Sequence, residues 1–408
     1  TKVIQVNRAN QIYSDDMAIT FVLAEGSDGL NLDTDAKAIG ANGPCGASPC
    51  FTSDETSSCG GDILDRNKFV AGQIVGADRF DIGHFGSGDG SGGVAYLGVV
   101  GGPDKAGGCT ALDPPAGDFY AVDFFAHEVG HQMAGNHTFD GASGSCAGAN
   151  RNAPTSVEPG SGSSVMAYAG ICFSDDLQPH TDPYFSQRTI DEFTVKVTEA
   201  PTNLAEEQSV NLAGFDAGDT FELTYPGAPA PVVLTRGGNY TAAGLEAAIL
   251  TLTGTAADVT GYDGANAVGP EGFSVEFVGT GNLQRLGIGA TTGGTTGFVG
   301  VIQNGGPTTQ GGSATLTTNR APLAVAPEDR TIPVSTPFAL TGSATDADAG
   351  QQDALTYLWE QNDEGLPGDP LLGVGPGTPL NSPVKVLGPV FRVFGTKADV
   401  SDEDTLLY

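Results

Sequence analysis

Apolar positions recur at helical spacing at the start of the chain. In Lys2–Tyr13 they fall at Val3, Val6, Ala9, Ile12 and Tyr13, which predicts an amphipathic helix. A short β-prone run follows at Ala18–Ala24. Asn31–Gly61 mixes three cysteines with many Gly, Pro and Ser and reads as a loop that needs cross-linking. Ile63–Val75 returns to helical spacing. Gly93–Val100 (G-V-A-Y-L-G-V-V) reads as a strand entered from the glycine-rich stretch Gly86–Gly93. Asp118–Met133 is the strongest helical pattern: Phe119, Val122, Phe125, Ala126, Val129 and Met133 share one side, with Asp118 as the expected N-cap.

The texture changes near Glu199–Asn203. Residues 204–318 are rich in Gly, Thr and Val, with short strands expected at Thr220–Tyr225, Val232–Thr235 and Phe273–Val278 and one helix at Thr241–Leu252. Asn319–Pro322 opens a third stretch of strand-and-turn texture. Its runs Pro337–Ser343 and Ala354–Glu360 suit an immunoglobulin-like sandwich continuing past Tyr408. The expected organisation is therefore an α/β domain at 1–198, a small mainly β module with one helix at 199–318, and an immunoglobulin-like module at 319–408.

Composition narrows the function. Of 408 residues, 49 are acidic and 17 are Lys or Arg, a net charge of −32. Residues 1–200 hold 26 acids and 10 bases, and residues 201–408 hold 23 and 7, so each half sits at −16. Evenly spread acidity fits a solvated exterior and excludes nucleic-acid binding by counterion release. No apolar run approaches the ~18 residues of a membrane span. All six cysteines lie in the first 172 residues without a C-x-x-C pair, which reads as disulfides formed in an oxidising, extracellular compartment. Nothing here fixes an oligomeric state.

Three of the five histidines fall within eleven residues, in His127-Glu128-Val129-Gly130-His131 and His137. Residues four apart share a helical face, so His127 and His131 can present two imidazoles to one metal, with Glu128 beside it as general base. The helix must end soon after His131 for His137 to return as third ligand, and Gly135 is the expected break. Three neutral nitrogens with an open fourth position form a catalytic zinc arrangement. In a rival arrangement a downstream Glu on a second helix is the third ligand. Glu158 has a suitable spacing, but Pro159-Gly160 follow it and forbid that helix. His84 reads as a structural histidine beside a strand and His180 as an exposed one.

The eleven residues H-E-V-G-H-Q-M-A-G-N-H resemble the extended zinc motif of the metzincins, and Ser164–Tyr168 (S-V-M-A-Y) resembles their Met-turn. The text at Asp81–Ser87, Gly135–Phe139, Ala169–Cys172 and Asp182–Ser186 is similar to the reprolysin-like, adamalysin-related branch found in secreted bacterial proteins. The resemblance covers residues 1–198. It implies a metzincin-like domain with a mixed twisted sheet and an active-site helix, one catalytic zinc, and Met166 as an apolar floor beneath it. Peptides are the implied substrate, hydrolysed by a water that zinc activates and Glu128 deprotonates. The strand with Gly93, Val94, Ala95, Tyr96 and Leu97 would pair with an extended peptide. Ala169, Gly170 and Ile171 would wall the pocket beyond the cleaved bond. Tyr168, two after the methionine, stands where some metzincins place a tyrosine that binds zinc or the oxyanion; a tyrosine packed under the site is the plainer expectation.

Two departures from the family pattern are visible. Its motif glycine is Ala134 here, so either zinc binding stabilises a left-handed alanine, at ~1–2 kcal/mol, or the turn shifts to Gly135. Lys2–Tyr13 is similar to the family's first helix, so the strand before it is expected to be missing. Cys146 and Cys172 follow His137 and Met166 closely and both segments must converge beneath the zinc, so these two are expected to pair. Cys45, Cys50, Cys59 and Cys109 leave three pairings open. Asp346, Asp348 and Asp353 offer hard oxygens that could hold calcium, or form a solvated acidic loop. The alternative to an enzyme is a surface adhesion or matrix protein on an inactive protease scaffold. Such a scaffold should lose a ligand or Glu128, and all four residues are present.

Overall fold

The computed structural model describes residues 2–264, 267–308, 318–333, 336–366, 379–381 and 387–392. Helix α1 (Lys2–Met17) buries Ala9, Ile12 and Tyr13, the inward side of the periodic pattern. Helix α2 (Gly61–Ile74) buries Ile63, Leu64, Phe69 and Val70. Between α2 and the third helix stand strands β1 (Phe85–Ser87), β2 (Ser91–Ala95) and β3 (Gly108–Leu112). β3 is central, parallel to β1 and antiparallel to β2, with Gly93 opposite Thr110. The outer side of β2 carries no further strand among the described residues.

A π-helical stretch, Phe119–Ala126, runs directly into α3 (His127–Gln132), and α4 spans Gln187–Val197 behind a Ser186 cap. These helices enclose an apolar core that includes Ile12, Tyr13, Val129, Met166, Phe185 and Phe193. Tyr13 is its hub: its ring lies 4.7 Å from Phe185, and its hydroxyl donates to the Ala126 carbonyl at 2.9 Å. The contact ties α1 to the helix that carries the histidines.

Three local expectations are corrected. The strand predicted through Val100 stops at Ala95, because Gly98 (φ 67°) and Gly101 (φ 66°) turn the chain left-handed. The amides of Gly98 and Val100 bond instead to the carbonyls of His131 (2.8 Å) and Gln132 (3.1 Å). Ala18–Ala24 forms no strand: the Phe21 amide bonds to Asn10 Oδ1 at 2.6 Å and its ring packs 4.8 Å from Tyr13. Asp118 caps nothing, since its backbone is already helical and Arg8 engages its carboxylate at 3.0 and 3.1 Å.

The cysteines form Cys45–Cys50, Cys59–Cys109 and Cys146–Cys172. The first and second fasten the 45–59 loop, the second by joining it to β3.

Residues 203–308 build a second core. A four-stranded antiparallel sheet runs in the order Thr296–Gln303, Glu207–Ala213, Gly272–Phe277, Ala257–Gly261, beside a three-stranded sheet and helix α5 (Ala242–Thr253). The sheet packs on α2, where Gly72 is required: a Cβ there would lie 2.8 Å from the Ile302 Cα. Tyr262 OH accepts from Gln73 Nε2 (2.8 Å) and Asn211 Nδ2 (3.0 Å), closing a buried polar seam.

Beyond residue 318 the described residues hold one strand pair, Leu323–Val325 with Ser343–Thr345. The strands expected at Pro337–Ser343 and Ala354–Glu360 are not formed, so no immunoglobulin-like sandwich is seen among them. The later stretch is engaged elsewhere: Glu360 accepts from the Gln187 amide (2.6 Å), Glu364 pairs with Arg188 (2.8 Å), and the Gly365 amide bonds to the Ser156 carbonyl (2.7 Å). The expected continuation of that module lies largely outside the described residues. No helix among those described is long and apolar enough to cross a membrane.

Candidate metal centre

α3 places His127 and His131 on one face, and the chain after it returns His137 to them. The Nε2 atoms of His127 and His137 lie 3.2 Å apart, and those of His131 and His137 3.1 Å. A tetrahedral ion bound at ~2.0–2.1 Å sets nitrogen–nitrogen edges of ~3.3–3.4 Å, so the cluster fits one. Each Nδ1 donates to a backbone carbonyl: His127 to Val165 (2.6 Å), His131 to Gly135 (2.7 Å) and His137 to Asn150 (2.6 Å). The other nitrogen of every ring is thereby left as a lone pair facing the common point. Burial lowers all three imidazole pKa values, to about 4 for His131 and, with help from His131, to about 3 for His137. They are neutral at pH 7, as ligands must be.

Glu128 is buried beside them, and burial pushes its carboxyl up to about 8. Its Oε2 has no hydrogen-bond partner. A cation held by the three histidines would draw this carboxyl back toward the ionised form, and its unpartnered oxygen is then placed for a water or substrate proton. Gly93 of β2 abuts it: a Cβ at 93 would sit 2.2 Å from Glu128 Oε1. Only glycine lets the edge strand lie this close.

The helix ends at Gln132, and the left-handed residue that turns the chain is Ala134 (φ 82°), not Gly135. Gly135 is needed for space, since a Cβ there would meet Phe193 at 2.9 Å and Met166 at 3.3 Å. The alanine therefore carries the strain. Ala134→Gly should raise stability by up to about 1.5 kcal/mol, the relief of ~1–2 less ~0.4–1 for the freer unfolded chain. A denaturant midpoint below that of the parent would show that the turn is unstrained.

Met166 is fully buried, with its Sδ against Gly130 of α3. The Tyr168 ring lies 4.5 Å from His137 and 5.5 Å from His127. Ala169 is buried, Gly170 (φ 85°) is backed by the Pro179 carbonyl, and Ile171 is exposed. Of the β2 region, Gly93 faces Glu128, while Val94 and Tyr96 pack into the cluster around Phe51 and Cys109. Tyr96 OH bonds to Asp65 at 2.9 Å, and Leu97 is exposed.

Other candidates fall away from the site. His84 bridges Gln132 and Thr110 at 2.9 Å each, a structural role. Glu158 is fully buried and bonded to Thr138, Ser163 and Ser164, not to the cluster. Asp348 is engaged by Arg320, and Asp346 accepts the Asp348 amide at 2.7 Å. Among the described residues the three histidines are the one group of three or more His, Cys, Asp or Glu side chains close enough to hold an ion.

Sequence reasoning missed the three orienting carbonyls, which carry no side-chain signal. It also missed a cavity of about 360 Å³ beside the π-helical stretch that leads into α3, lined in part by Phe119, Val122, Asp123, His180, Thr181 and Pro183. Asp123 accepts the Thr181 amide there at 2.8 Å, a pairing of residues 58 apart.

The family model described as metallo-peptidase family M12B, reprolysin-like, matches residues 1–191. No curated protein and no solved structure matches the chain.

Proposed function

Residues 1–191 belong to the reprolysin-like metallo-peptidases of family M12B, and on that premise we propose that the chain is a zinc-dependent endopeptidase working outside the cell. The observation that carries the reading is the convergence of three lone-pair nitrogens, 3.1–3.2 Å from His137 to each of the others, next to the unpartnered Glu128 carboxylate. His127, His131 and His137 would hold the zinc, which when bound supplies a Lewis acid for water activation and carbonyl polarisation. Glu128 takes the attacking water's proton and passes it to the leaving amine. The open edge of β2 holds the peptide extended through main-chain bonds, with Gly93 bringing it against Glu128. Tyr168 stands over His137 as a donor to the developing oxyanion. Ala169, Gly170 and Ile171 wall the pocket beyond the cleaved bond. The three disulfides support an extracellular setting.

The purified chain should contain one zinc per molecule and cleave denatured casein in a chelator-sensitive way. Absence of zinc after supplementation, or cleavage that survives complete metal removal, would sink the reading.

A further inference from the structure

Glu158 joins two segments that meet at the metal cluster. Its Oε1 accepts from Thr138 Oγ1 at 2.6 Å, one residue after His137, and from the Ser164 hydroxyl. Its Oε2 accepts the amides of Ser163 (2.7 Å) and Ser164 (3.1 Å), at the entrance to the turn that holds Val165 and Met166. Val165 in turn supplies the carbonyl that orients His127. One carboxylate thus links the third histidine's segment to the support of the first.

That carboxylate is fully buried and has one cationic partner among the described residues, Arg392, which is itself 3% exposed. Arg392 Nη2 lies 2.9 Å from Glu158 Oε2, Nη1 pairs with Glu360 at 2.6 Å, and Nε donates to Ser163 Oγ at 2.8 Å. Nη2 also donates to the Tyr184 hydroxyl. Burial alone would raise the Glu158 pKa, but Arg392 and the hydroxyl donors hold it below the ordinary carboxylate range. Arg392 lies 201 residues beyond the last residue of the family match at 191.

We propose that Arg392 is a positioning residue for the metal site: by neutralising Glu158 it holds the His137 segment and the Met166 turn in one arrangement. The proposal rests on the zinc reading for its consequence and on the ion pair for its cause. A fork held by two carboxylates, a serine and a tyrosine is built for geometry as well as charge. Losing the guanidinium leaves a buried carboxylate without a countercharge, which loosens both segments.

The test uses the full chain as parent, Arg392→Met, Glu158→Gln and the double variant. Hydrogen exchange of the metal-free protein is read at 137–139 and 163–167, and zinc affinity by competition with a chromophoric chelator. Arg392→Met should speed exchange in both segments and weaken zinc binding about 10- to 100-fold. The double variant should return to within about threefold of the parent, because glutamine carries no charge and the hydroxyls of Thr138 and Ser164 can rotate to accept from it. Unchanged exchange and affinity in Arg392→Met, or a double variant no better than the single, overturns the proposal. If Arg392→Met does not fold, the double variant must fold and bind zinc as the parent does; its failure also overturns the proposal. A parent without zinc would sink the metal reading, and the exchange comparison would still decide the brace.

Discussion

Glu128→Gln should retain one zinc per chain and lose about 10²–10⁴ in kcat. The substitution keeps the side chain's volume and touches no ligand, so the three histidines and their carbonyl partners stay in place. What it removes is the capacity to accept a proton at Oε2, the atom that has no partner. No replacement base is close: His127, His131 and His137 direct their free nitrogens at one another, and His84 is held between Gln132 and Thr110. Steady-state kinetics on an internally quenched peptide, with metal analysis of the same preparation, checks both halves. Activity within tenfold of the parent would mean that proton transfer does not depend on Glu128.

Tyr168→Phe should lower kcat by about 10²–10³ with little change in KM, the pattern for a donor engaged mainly in the transition state. The ring is fixed by Phe139 at 4.7 Å and His137 at 4.5 Å, contacts that phenylalanine would keep. Among the described residues its hydroxyl makes no hydrogen bond, and burial, then the nearby Glu128, raises its pKa. It is therefore a protonated donor next to Glu128, the base in the proposed mechanism. A kcat within about threefold of the parent would assign Tyr168 to packing alone.

The three-histidine cluster was legible because holding a metal demands residue types at fixed spacing. Two histidines four apart and a third six further leave little freedom, and the helix around them follows from apolar periodicity. α1, α2 and the helix at Ala242–Thr253 were legible for the same reason. What failed were features decided by distant partners. Asp118 looks like a cap until Arg8 takes its carboxylate. The run through Val100 looks like one strand until two left-handed glycines bend it toward the carbonyls at the end of α3. Ala18–Ala24 has strand composition, yet its Phe21 is used as packing against Tyr13. Arg392 gives no local signal, because its partner Glu158 lies 234 positions away. The choice between Ala134 and Gly135 for the turn also needed the structure, since both residues suit the spacing and only Phe193 and Met166 decide which must be small.

The π-helical stretch at Phe119–Ala126 bears on how this chain compares with its kin. Hydrogen bonds reaching one residue further back than in an α-helix accommodate an extra residue over the same path. A homologue lacking one residue between 119 and 126 would thus restore an α-helical ladder without losing the helix. Residues before the stretch would keep their orientation relative to His127, because the wider turns absorb the extra residue; only the stretch itself, which carries Phe119 and Val122 to the cavity beside His180, would be re-spaced. A one-residue gap here would therefore mark a changed cavity, with the histidines left in place.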